Sequence, residues 1–299
     1  MNKSVLRFLR KLTFLPQKIF LPFLYEYYTG KKLNLKNPQE FNEKIQWLKA
    51  FYQPKILNIL VDKYAVREYV SEKIGEEYLN ELYGVYDSFS EINFEELPEK
   101  FVLKAVHASS YNLICADKSK LNLNNVKKKV KKWQTANQYY RTGQEWAYKD
   151  VKPRLIAEKY LKDDERDSLT DYKFYCFNGK TTFLEVHLDR ADNHKRAFYD
   201  FDFKQLPFRY VSLEKSISEE IQKPATLEKM IELSEKLSVS FPFVRVDFYS
   251  VKNKIIFGEM TFYPSDGRKD FYPEEYNKKI GDMIKLPDLK GRKVITEIE

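Results

Sequence analysis

The sequence predicts an α+β protein, helical at its start and built on antiparallel strands toward its end. Three observations carry that expectation. Residues 37–75 place apolar side chains at helical spacing between capping and stop signals. From Asp171 onward the chain turns to long aromatic runs of strand character, one of them folded at Asn178-Gly179. The 22 Phe and 22 Tyr among 299 residues suit half-buried pleated surfaces. Helices first and hairpins later describe an α+β protein with a cleft between subdomains.

Residues 1–36 read as a basic amphipathic extension. Lys3, Arg7, Arg10, Lys11 and Lys18 alternate with Leu6, Phe8, Leu9, Phe14, Leu15, Ile19, Phe20 and Leu21, and Pro16 and Pro22 interrupt the run. It lacks a small-residue cleavage site, so a signal peptide is not expected. Such a segment either lies on an anionic membrane or forms two helices packed on the body, and the sequence leaves both open. Asn37-Pro38-Gln39-Glu40 then opens a helix with a cap, a first-turn proline and capping-box spacing. Phe41, Ile45, Leu48 and Phe51 form its apolar stripe, and Pro54 stops it. A second helix starts near Asp62, buries Val66, Tyr69, Val70 and Ile74, and ends at Gly75. Lys63 and Arg67, four apart, lie along one side of it. Residues 101–106 read as a buried strand, 107–112 as a loop of small polar residues, 123–142 as a Lys-rich helix and 154–160 as a strand. Residues 172–177 and 181–188 form a hairpin, and 224–239 an amphipathic helix with Glu232 and Lys236 paired. A last hairpin runs through 243–251, turns at Lys252-Asn253 and returns through 255–262. No internal repeat or low-complexity tract appears.

The net charge of +8 and pI near 9.0 fit a nucleic acid, an anionic membrane, or an acidic polymer or nucleotide, and a Lys-rich solvated surface accounts for them equally. The sequence holds no RNA-binding signature, zinc-finger spacing or basic zipper, so a nucleic-acid partner is not expected. Cys115 and Cys176 have no short spacing, which fits a reducing compartment such as the cytoplasm. His107, His187 and His194 form no ligand-spaced cluster, which speaks against a His-based zinc site. No apolar run reaches the ~18 residues of a membrane span.

The last hairpin holds the densest chemistry. Arg245 and Asp247 are two apart, as are Glu259 and Thr261 on the returning strand, so each pair shares a face. A hairpin can lay the pairs side by side. Oxygen donors of this kind suit Mg²⁺, which takes one or two carboxylates and completes its shell with phosphate and water. The arginine can neutralise charge on a transferred phosphoryl group or an oxyanion. An ordinary cross-strand Arg–Asp pair with Glu259 on a solvated face is the competing reading. Lys104, near the end of a buried strand, calls for an anion, and the following loop of small residues can bring backbone N–H groups to phosphates. A snorkelling lysine would look the same.

In order along the chain, Val61-Asp62-Lys63-Tyr64-Ala65-Val66-Arg67, Phe101-Val102-Leu103-Lys104 with its loop, Ile156-Ala157-Glu158-Lys159-Tyr160-Leu161, and Arg245-Val246-Asp247 with Glu259-Met260-Thr261 resemble the ATP-grasp enzymes related to D-alanine–D-alanine ligase. Asn37 to Lys49, Asp171 to Gly179 and Phe257 to Phe262 resemble, more closely, the TupA-like ATP-grasp family, linked to teichuronopeptide and other bacterial surface-polysaccharide synthesis. The resemblance spans roughly residues 35–285. It implies two α+β subdomains clamping ATP, behind a helical N-terminal extension. Arg67 and Lys104 then hold ATP phosphates with Ser109 and Ser110 of the loop. The hinge at Glu158, Lys159 and Leu161 reads adenine, and Asp171 holds the ribose. Asp247, Glu259 and Thr261 hold Mg²⁺, Arg245 steadies the reacting phosphoryl group, and Lys173 serves the nucleotide or acceptor. Thr261 stands where the ligases carry Asn, Arg67 where they carry Lys, and Ala108, Ser109 and Ser110 where glycines are usual.

The domain expectation is an extension at 1–36, a helical subdomain at 37–97, and ATP-grasp subdomains at 98–170 and 171–299. The resemblance implies an ATP- and Mg-dependent ligase that activates a carboxylate as an acyl phosphate for attack by an amine. Its substrates would be a uronic acid and an amino acid of a surface polysaccharide, lipid-linked or polymeric, met in the cytoplasm or at the inner face of the membrane. A phosphotransferase acting on a sugar or glycan uses the same clamp. A glycosyltransferase and a non-catalytic membrane module are further readings. Asp200-Phe201-Asp202 is the one D-x-D in the chain.

Overall fold

A computed structural model describes residues 2–162, 169–189, 193–210 and 212–298. Its helical entry comprises α1 (Lys3–Leu9), α2 (Gln17–Thr29), α3 (Phe41–Phe51), α4 (Ile56–Val61) and α5 (Val66–Ile74). Helix α2 ends at Gly30, whose positive φ of 73° lets its N–H donate to the Glu26 carbonyl. The capping box of α3 lies three residues later than the sequence suggests. Glu40 is the cap and Glu43 its partner, because the Asn34 side chain already holds the amides of Lys36 and Asn37 in a turn. Asp62 opens α5 as expected: Oδ1 accepts from the N–H groups of Tyr64 and Ala65 at 2.8 and 3.0 Å.

Two antiparallel sheets follow. The first has the order β1-β4-β2-β3, from β1 (Leu82–Tyr86), β4 (Leu155–Lys159), β2 (Phe101–Ala105) and β3 (Asn112–Cys115). It draws β1 from the stretch expected to be helical, and β3 from one expected to follow a loop. The run 123–142 divides into α6 (Leu123–Gln134) and α7 (Gln138–Arg141), because Asn137 caps a new turn through the Tyr140 amide. Val126, Val130 and Trp133 of α6 pack on Phe101, Leu103, Leu155 and Ala157.

The second sheet has the order β7-β6-β5-β8-β9. It comprises β5 (Asp171–Phe177), β6 (Lys180–Leu188), β7 (Lys195–Tyr199), β8 (Phe243–Val251) and β9 (Lys254–Thr261). Both expected hairpins are present, and α8 (Leu227–Ser238) covers one face with Lys236 and Glu232 at 2.7 Å. On the other face the aromatics Tyr175, Phe183, Phe198 and Phe243 meet Phe41 of α3 and Phe271. Helix α9 (Glu275–Gly281) closes on α3. No described helix is long and apolar enough to cross a membrane.

A turn at Pro264–Gly267 follows β9. Ser265, Asp266 and Gly267 all have positive φ, at 51°, 58° and 59°. Helix α3 holds this costly conformation in place. Gln46 Nε2 donates to the carbonyls of Asp266 and Gly267 at 2.8 Å each, and the buried Lys49 reaches both the carbonyl and the carboxylate of Asp266.

Candidate functional site

The site lies where the two sheets face each other. A cavity of about 410 Å³, counting space open to solvent, is lined on one side by Lys63, Arg67, Lys104, Glu158 and Leu161, and on the other by Tyr249 and Ile256 to Gly258. Asp62 fixes the first wall. Its Oδ2 accepts from Arg154 Nη2 at 2.9 Å, so the turn before α5 is pinned to the start of β4. Lys63 is thereby aimed at the loop after β2, where its Nζ donates to the Ala108 carbonyl at 2.5 Å. Burial pulls the Lys63 ammonium below the usual lysine range, and Glu259 across the cleft opposes that pull. Lys104 Nζ donates to Glu158 Oε2 at 2.6 Å, and Arg67 lies 3.6 Å from the same carboxylate. Two cations thus contact one buried acid and Lys63 lines the same cavity, a surplus of positive charge suited to an anionic ligand.

The second wall depends on a bulge. Asp247 pairs with Glu259 and Phe248 with Phe257, which leaves Gly258 as the extra residue. A Cβ there would stand 3.0 Å from the Asp247 carbonyl oxygen, so the close approach favours glycine. That extra residue sets Arg245 opposite Thr261 and Asp247 opposite Glu259, so the two expected pairs lie side by side. Arg245 Nε and Nη2 donate to the two oxygens of Asp247 at 2.7 Å each. Its Nη2 also donates to the Thr261 hydroxyl at 3.1 Å and lies 3.5 Å from Glu259. Burial opposes the charge of Arg245, but Asp247 together with Tyr175 and Glu259 outweighs burial and holds its pKa above the usual arginine range.

The polar face continues past the hairpin. Lys173 of β5 pairs in register with Asp247, contacts its carboxylate, and lies 3.5 Å from Asp171. Beyond it, Glu185 and His187 of β6 stand opposite Lys173 and Asp171, and Arg196 of β7 stands opposite His187. Glu185 accepts from the Tyr175 hydroxyl at 3.1 Å and pairs with His187 at 3.2 Å and Arg196 at 3.4 Å. His194 Nε2 meets His187 Nδ1 at 3.1 Å. Burial lowers the His187 pKa, and the Glu185 carboxylate beside it opposes that shift. An unbroken row of charged groups therefore crosses the sheet from β9 to β7, and buried charges are retained only where they are paired.

Several expected residues take other places. Asp171 is buried in the sheet beside Lys173 and does not line the cavity, because its partner is a buried lysine rather than a solvated ligand group. The Lys159 side chain points outward to Glu81 at 2.9 Å. Its N–H donates to the Glu81 carbonyl and its C=O accepts from Asn80, so its backbone serves the β4 edge. Leu161 and Glu158 do line the cavity. Ser109 and Ser110 are exposed on the loop that Lys63 grips, and the Ser109 hydroxyl accepts from Gln138. Lys63, Glu185, His187 and Arg196 were not among the expected site residues. The signals for them are Asp62-Lys63 before a helix, and charges two apart in an otherwise apolar strand.

A family model described as TupA-like ATPgrasp matches residues 43–285. No curated protein matches the chain. Among solved structures, a D-alanine–D-alanine ligase from Bacillus anthracis is 19% identical, covering 69% of this chain and 59% of its own, with a TM-score of 0.43. The same ligase complexed with ATP is 17% identical over 77% and 65%, with a TM-score of 0.41. The Helicobacter pylori D-alanine–D-alanine ligase is 13% identical over 83% and 67%, with a TM-score of 0.42. The chain thus spans 59% to 67% of the length of these ligases.

Proposed function

The chain belongs to the TupA-like ATP-grasp family and has the ATP-grasp fold, and from that premise we propose that it is an ATP-dependent carboxylate–amine ligase. ATP would convert a carboxylate to an acyl phosphate, an amine would displace phosphate, and an amide would form. The substrate pair fitting the family is a uronic acid of a bacterial surface polysaccharide and an amino acid. The observation that carries the proposal is the cleft, with Lys63, Arg67 and Lys104 on one wall and the in-register Arg245, Asp247, Glu259 and Thr261 on the other.

In this reading the three cations hold the nucleotide phosphates, and Arg245 lies beside the phosphoryl group in transfer, where a fixed positive charge lowers the barrier. Lys173 meets the Asp247 carboxylate from β5 and so fixes it at the same face. Asp247 and Glu259 are hard oxygen donors, which Mg²⁺ takes together with phosphate oxygens. Both Asp247 oxygens are held by Arg245 and one also by Lys173, whereas the Glu259 side chain is 38% exposed. Among the described residues no group of three or more His, Cys, Asp or Glu could hold a metal ion. The donor set therefore fits a metal carried on nucleotide phosphates, and when bound it would supply charge neutralisation there.

The test is γ-labelled ATP with panels of carboxylates and amines. A ligase releases labelled phosphate only when both are present. Label left on an acceptor would replace the proposal with a phosphotransferase. Glu259→Gln, a change at a half-open side chain, should keep the fold and lose turnover; near-normal turnover would remove Glu259 from the site.

A further inference from the structure

Helix α2 is fixed to the body. Phe20, Leu21 and Leu24 are buried in a cluster with Ala50 of α3. Gln17 Nε2 donates to the Gln144 carbonyl at 2.7 Å, and Gln144 Nε2 returns to the carbonyls of Thr13 and Leu15 at 2.6 and 2.9 Å. The segment is therefore held in place, and its outward face is built. That face carries Phe14 at 76% exposure, Phe8 at 63%, Ile19 at 50% and Val5 at 44%. On α1, helical spacing puts Val5, Phe8 and Leu9 on one arc and Lys3, Arg7 and Arg10 on the opposite one. Residues 1–25 contain five basic residues and no acidic one. Arg10 lies over the Tyr27 ring, 4.5 Å from its centre. Lys18 Nζ donates to the Lys293 carbonyl at 2.9 Å, which brings the basic turn of Lys290, Arg292 and Lys293 alongside.

We propose that this face docks on an anionic lipid bilayer, with Val5, Phe8, Phe14 and Ile19 at the acyl boundary and Lys3, Arg7, Lys11 and Lys18 against headgroup phosphates. Exposed aromatics and aliphatics among cations, with no carboxylate in the first 25 residues, are the complement of such a surface. A second copy of the chain is a poorer occupant, since each copy carries a net charge of +8 and would bring like charge to the contact. The inference is independent of the nucleotide reading: a protein that ignores ATP would dock in the same way.

The experiment sediments the full chain with vesicles of phosphatidylcholine alone, and of phosphatidylcholine with an equal share of phosphatidylglycerol. Binding is expected to the second only, and should fall as salt screens the headgroups. Lys3→Gln, Arg7→Gln and Lys11→Gln together should weaken it about a hundredfold, at about fivefold per cation. Phe8→Ser with Phe14→Ser should weaken it about tenfold or more. All five side chains are exposed, so both variants should keep the parent circular dichroism and melting temperature. Absence of binding to anionic vesicles would overturn the proposal. So would binding that the Phe8 and Phe14 changes leave intact, or a dimer in solution that those changes abolish.

Discussion

Glu185 gives the sharpest test of the charged row, through the pH dependence of stability. Its carboxylate is 1% exposed and faces the Tyr175 hydroxyl, His187 and Arg196, with Arg245 farther off. Burial alone would raise its pKa, but His187 and Arg196 outweigh burial and pull it from 4.5 to about 2. A group depressed in the folded state stabilises fully above its unfolded pKa and loses that contribution as pH falls toward its folded one. Here the window runs from 4.5 down to about 2. At about 1.4 kcal/mol per tenfold the whole effect is about 3 kcal/mol, of which about 2 kcal/mol is gone by roughly pH 3. The assay is urea unfolding followed by circular dichroism from neutral pH to about pH 3. Glu185→Gln should be less stable than the parent at neutral pH and should lose about 2 kcal/mol less than the parent over the acid range. Parallel curves for the two proteins would refute the reasoning, and the ion pairs around Glu185 would then contribute nothing beyond what water supplies.

Other outcomes follow from the same geometry. Lys63→Met should leave the fold intact and weaken Mg-ATP at least about tenfold. At a nucleotide level of ~100 parental dissociation constants, the stabilisation would drop from about 2.7 to about 1.4 kcal/mol, read as a smaller melting shift. An undiminished shift would remove Lys63 from the nucleotide wall. Gly267→Ala should destabilise by about 2–4 kcal/mol, since the residue has φ +59° and its Cβ would stand 2.6 Å from Ile45 Cγ2. A melting temperature equal to the parent's would show that the turn relaxes freely.

The long hairpins of the second sheet are legible because their period-two pattern and their turns agree. That Arg245 and Asp247 share a face of their strand, and Glu259 and Thr261 a face of theirs, follows from their spacing, but their pairing needs the Gly258 bulge, since the turn at Lys252-Asn253 alone would set Asp247 opposite Gly258. Strands β1 and β3 are hidden because they are short and only partly covered, with no residue of β1 fully buried. The fate of Asp171 is hidden for a different reason. The groups that meet Lys173 include Asp247, 74 positions away, so the burial of this part of the sheet is a tertiary fact with no local signature. Lys63 was visible as a helix-face neighbour of Arg67. Its aim into the cleft depends on Arg154 pinning Asp62, a contact 92 residues apart in the chain.

The face of the five-stranded sheet that carries the charged row also carries the aromatic cluster around Tyr175, Phe183 and Phe198, and the two halves impose different rules on sequence drift. In the aromatic half, a change of one apolar residue for another of similar volume costs little, so neutral substitutions can accumulate singly. In the charged half, loss of one member strands its partner in a dry environment, so a viable path must replace partners together or not at all. Divergence among proteins of this kind should therefore proceed residue by residue on one side of the sheet, and in linked sets on the other.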